Sequence, residues 1–142
     1  MIRNLFLTLT LMACLTLNAQ QNDVLPGDPA FTAKYADVDF KGNFTLAVGK
    51  DASNNYYLVD FSKFASRFER VYFMNLSFSY DELISIDADI TKNRVCFKAG
   101  LKYAGPEVIK IFDEIKNKVT ITAAAWSDDR EHQWLNANDK YK

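Results

Sequence analysis

Residues 84–103 carry the strongest constraint on what this chain can fold into. Ile84, Ile86, Ala88 and Ile90 alternate with Ser85, Asp87, Asp89 and Thr91. After Lys92-Asn93 the alternation resumes in Val95, Phe97, Ala99, Leu101 and Tyr103. A period of two in both runs, split by a polar dipeptide, specifies a β-hairpin with one covered face. Folding at Lys92-Asn93 sets Ile90 against Val95, Ala88 against Phe97, Ile86 against Ala99 and Ile84 against Leu101. The opposite face then pairs Asp87 with Lys98 and Asp89 with Cys96. A one-residue slip would turn charges inward, so this register is the expected one.

Other segments add to the sheet. Phe44, Leu46 and Val48 share one face of a strand over 43–49, and Tyr57, Val59 and Phe61 one face of a strand over 56–61. The turn-rich segment 50–55 joins them as a hairpin. A loosely alternating stretch over 31–40 reads as a further strand. So does 72–80, where Tyr72, Met74, Leu76, Phe78 and Tyr80 alternate with smaller polar residues. The run 119–126 reads as a last strand.

Two helices stand out. Pro106 and Glu107 suit a first turn, and Val108, Ile111, Phe112, Ile115 and Val119 form a stripe at helical spacing. This predicts a long helix over 106–118. Ser127 with Asp128 and Asp129 predicts a terminal helix reaching about residue 136. Ser62 caps a short helical turn over 63–68. The expected fold class is α+β: an antiparallel sheet of about five or six strands with one long helix packed on a face and a short C-terminal helix.

The chain begins with an export signal. Arg3 supplies the positive start, residues 5–17 the apolar core, and Ala19 the small residue before a cut. Simple cleavage there leaves a polar tether over 20–30 and a single α+β domain over 31–142. A second reading competes: Leu11-Met12-Ala13-Cys14 resembles the lipobox of bacterial lipoproteins, in which the cysteine is lipidated. Either way Cys14 leaves the folded part, and Cys96 remains as its one thiol. No internal disulfide is then possible, so packing alone must hold the fold.

Chemistry-bearing residues are sparse. Cys96 is a nucleophile or redox candidate because Arg94 and Lys98 favour the thiolate, although Asp89 across the hairpin opposes it. His132 lies four residues after Asp128, which makes a general base with its orienting carboxylate, or part of a metal site. Asp87 and Asp89 share a strand face, an arrangement that can serve glycoside hydrolysis. Each has a plainer reading: a buried thiol, a helix-start pair and a solvated strand face. Tyr56, Tyr72 and Tyr80, with Trp126 and Trp134, are candidate partner contacts, since such side chains bury a large ring and keep a polar handle.

The signal removes one of 17 basic side chains and none of 18 acidic ones, leaving a mature net charge of −2. With no basic stripe, nucleic acid is not an expected partner. Cofactors are not expected either, and membrane contact is expected only through a lipidated Cys14. The leading expectation is an exported, non-enzymatic binding or structural module of the bacterial envelope or exterior, taking a protein or small envelope ligand. The alternatives are a secreted inhibitor or immunity-type protein that binds an enzyme, and a small hydrolase using His132 or the Asp87/Asp89 face.

Overall fold

A computed structural model describes residues 29–142. The expected export signal, Cys14 and all but the last two residues of the expected tether lie outside the described residues. The elements are α1 (Pro29–Lys34), β1 (Thr45–Lys50), β2 (Asn54–Asp60), a 3-10 turn (Phe61–Lys63), α2 (Arg67–Ser77), β3 (Ile84–Asp87), β4 (Arg94–Gly100), α3 (Gly105–Ala125) and α4 (Asp128–Asn138). The class is α+β, with one antiparallel sheet in the order β1-β2-β4-β3.

Four strands are present among the described residues, not five or six. Three expected strands are helical or irregular instead. Residues 31–40 form α1 and a loop, 72–80 fall largely in α2, and 119–125 continue α3. The reason for α2 is local. Ser66 accepts a bond from the Glu69 amide at 3.1 Å, and the Glu69 carboxylate takes the Ser66 amide at 3.0 Å. This capping box satisfies donors that a helix start leaves open. Ser62, the expected cap, donates its amide to Asp60, which caps only the 3-10 turn. In α3, Ala123, Ala124 and Ala125 favour continuation over the strand that the β-branched residues before them suggest.

β1 and β2 pair as an antiparallel hairpin, as expected, with a bulge between Ala47 and Gly49. Phe44 packs in the main core and Val48 on the opposite face, so the expected shared face of Phe44, Leu46 and Val48 does not form. The hairpin of β3 and β4 forms in a different register. Ile84 pairs with Lys98, Ser85 with Phe97 and Asp87 with Cys96. The expected pairings of Ile84 with Leu101, Asp87 with Lys98 and Asp89 with Cys96 are therefore incorrect. Residues 88–93 form a broad turn, which Asp89 organises by accepting the Thr91 amide at 3.0 Å. Ile90 is buried there outside any strand.

The sheet is covered on both faces. Tyr57, Val59, Val95, Phe97 and Ala99 face α2 and α3. Phe73 lies at the centre of that layer, edge-on to Phe44 at 5.7 Å and Phe61 at 5.5 Å, and stacked on Phe112 at 6.4 Å. Leu58 and Cys96 point the other way, against Phe31, with Tyr35, Val38, Phe40, Val48 and Ile86 packed around them. Central β2 is thus buried from both sides, which explains five successive buried residues from Tyr56 to Asp60.

Candidate functional site

The sequence candidates do not converge. Cys96 is 2% exposed, and burial pushes its thiol up to about 12, with Asp87 adding to the effect. A thiol held in that state is a poor nucleophile. His132 is exposed on α4, and its Nδ1 lies 2.9 Å from the carbonyl oxygen of Asp128, not from the Asp128 carboxylate. Since α4 joins the helical layer, the sheet separates His132 from Cys96. Asp87 pairs with Lys92 at 3.0 Å, and Asp89 approaches the same ammonium at 4.0 Å. Lys92, not Lys98, is the cation that holds them.

The aromatic candidates divide three ways. Tyr72, Trp126 and Trp134 meet around buried Phe68. Tyr72 stacks on Phe68 at 5.3 Å, while Trp134 meets Phe68 at 5.5 Å and Tyr72 at 5.1 Å. Arg130 covers Trp126 at 4.1 Å. These rings fasten α4 to α2 and to the end of α3. Tyr56 is buried, and its hydroxyl donates to Asp51, the residue that closes the β1–β2 turn. Burial and that carboxylate push the Tyr56 phenol up to about 12. Tyr80 is also half-buried against the main core, but it lines a surface depression as well, and Lys118 donates to its hydroxyl at 3.2 Å.

That surface is the outstanding one. Phe78 and Ile84 are each 52% exposed and line one shallow depression of about 370 Å³ with Tyr80, Asp81, Leu83 and Ser85. Ile84 opens β3, an edge strand whose one strand neighbour is β4. The outward amides and carbonyls of an edge strand have no ladder partner. Both edge strands are irregular, β1 between Ala47 and Gly49 and β3 between Ser85 and Asp87, but at the β1 edge the Tyr35 hydroxyl also donates to the Val48 carbonyl at 2.8 Å. Among the described residues, the β1 edge has a side-chain partner, while the β3 edge has none and is flanked by Ile84 and Phe78.

A second depression, of about 300 Å³, takes Glu82 of the same segment into its wall. Tyr103, Val108 and Ile111 give it apolar lining, and Glu82, Glu107 and Glu114 give it acids. Lys110, also in its wall, pairs with Glu114 at 3.9 Å. Asp81 and Glu82 have no ion pair among the described residues.

Sequence reasoning missed Phe78 and Ile84 because it turned both inward. The available signal was Ser66-Arg67-Phe68-Glu69. Read as a capping box, it starts a helix whose end falls near Phe78 and cancels the strand. Among the described residues, no helix is long and apolar enough to cross a membrane, and no group of three or more His, Cys, Asp or Glu side chains gathers to hold a metal. No family model, no curated protein and no solved structure matches the chain.

Proposed function

We propose that this protein is an exported, non-enzymatic binding module of the bacterial envelope or exterior. The observation that carries the binding reading is the pairing of Phe78 and Ile84, each 52% exposed, beside the unpaired edge of β3. Isolated exposed apolar residues are ordinary, but a contiguous pair along an open strand edge is the form of a contact surface. Export rests on the sequence of residues 1–19 alone.

Capture from envelope extract tests the binding reading. A partner retained by the wild-type chain should be lost with Ile84→Asp and kept with Leu101→Asp, an exposed apolar position outside that depression. Retention by both variants, or by neither, overturns the assignment to this edge. The mass of the mature N-terminus tests export. A chain starting at Gln20 supports free secretion, a lipidated Cys14 supports an anchored form, and an uncut chain overturns both.

A further inference from the structure

We infer that the β3 edge takes an extended peptide segment that pairs with it as an added strand, carries apolar side chains at alternate positions and presents a lysine or arginine to the Glu82/Glu107/Glu114 depression. The inference rests on the binding reading above and names the chemistry of the partner.

Three observations carry it. The first is the edge. Among the described residues β3 pairs on one side only, and main-chain bonding to an open strand depends on backbone groups, not on side-chain identity. The second is apolar cover. Side chains on one face of an added strand recur every second residue and would lie along Ile84 and Phe78. The third is charge. Both depressions draw on the same segment, 80–84, and one is walled by three glutamates over Val108 and Ile111. An aliphatic stem on that lining and a cationic head at those carboxylates match its composition. Lys110 answers Glu114 in part, while Lys92 is engaged with Asp87 and Lys118 with Tyr80. The carboxylates left over are Asp81, Glu82 and Glu107.

The test uses the full chain and a short synthetic peptide that alternates valine and threonine between two terminal lysines. Controls are the same peptide with terminal glutamates and one with its central amides methylated. Amide chemical shifts and fluorescence anisotropy read the binding. The lysine-ended peptide should bind roughly tenfold tighter than the glutamate-ended one. Methylation should abolish binding, and the shifts should map to residues 84–87. Ser85→Pro should also abolish it. Should that variant fail to fold, the combined Glu82→Gln, Glu107→Gln and Glu114→Gln variant, altered only at the surface, should bind both peptides equally. Equal binding of both peptides to the wild-type chain overturns the inference. So does a dimer that Ile84→Lys dissociates while no peptide binds. Absence of peptide binding with Ile84-dependent capture intact overturns the inference and leaves the binding reading standing.

Discussion

Cys96 and Thr45 show what burial does to a single polar group. Cys96 lies under Phe31 and Leu58, so its thiol is shielded from both solvent and base. Native protein should therefore leave a disulfide reagent such as dithionitrobenzoate unreacted at pH 8, and urea should release the thiol in step with unfolding. Fast reaction of the folded chain would contradict this packing. Thr45 is 7% exposed, and its hydroxyl has no hydrogen-bond partner among the described residues. Replacing that hydroxyl by a methyl removes an uncompensated desolvation cost. Thr45→Val should raise stability by about 1 kcal/mol, read as a higher urea midpoint with an unchanged slope. Periodicity alone revealed neither effect, since solvent access depends on what a distant segment places over a strand.

At the scale of elements, α2 is set by its first turn. The Glu69 carboxylate accepts the amides of Ala65 at 2.6 Å and Ser66 at 3.0 Å, and Ser66 returns the bond. Ser66→Ala should cost about 1 kcal/mol and speed amide exchange in the first turn of α2. The chain end is held to the same helix. Arg67 donates to both oxygens of Asp139, at 2.7 and 3.3 Å, and to the Tyr141 carbonyl at 2.9 Å. The Arg67 hydrogen bond is the main cause that holds the Asp139 carboxyl below its ordinary 3.8. A carboxylate lowered in the folded state stabilises the fold above its unfolded value, and that contribution is lost as pH falls through the lower, folded value. The wild-type chain should thus lose stability more steeply below about pH 4 than Arg67→Ala, so the gap between the two at neutral pH should narrow at pH 3. Paired urea titrations at pH 7 and pH 3 measure this. Both elements had sequence signals. The capping box was legible but outweighed by a period-two pattern in 72–80. That pattern arises because α2 is covered by different neighbours: Phe73 by the sheet and Phe112, and Tyr72 by Trp126 and Trp134.

Across the whole molecule, the sheet is a filled layer with one finished edge. The segment from α1 to Phe40 covers Leu58 and Cys96, and Tyr35 from the same segment blunts the β1 edge. Phe31→Asp should uncover that face. Reactivity of Cys96 in the folded state and a lower thermal midpoint are the expected outcomes, with the thiol reporting on the segment's docking. A variant that stays unreactive would show that Phe31 is not what shields the thiol. Among the described residues nothing comparable covers the β3 edge, and the exposed Phe78 and Ile84 lie beside it.

The sequence by itself determined the α+β class, the pairing of β1 with β2, and the starts of α3 and α4. Each rests on local causes: alternation around a turn, Pro106 and Glu107 in a first turn, and Ser127 as a cap. Only the tertiary structure decided the strand count, the β3–β4 register and the open edge. The alternation of the two arms favours the expected register, yet the observed one sets Ile84 opposite Lys98 and Ser85 opposite Phe97. The choice fell to contacts far apart in the chain, with Ile86 drawn to Leu58 and Cys96 on one face and Phe97 to Phe73 and Phe112 on the other. Alternation names the side chains that share a face, and the neighbours packed on each face decide which way it turns.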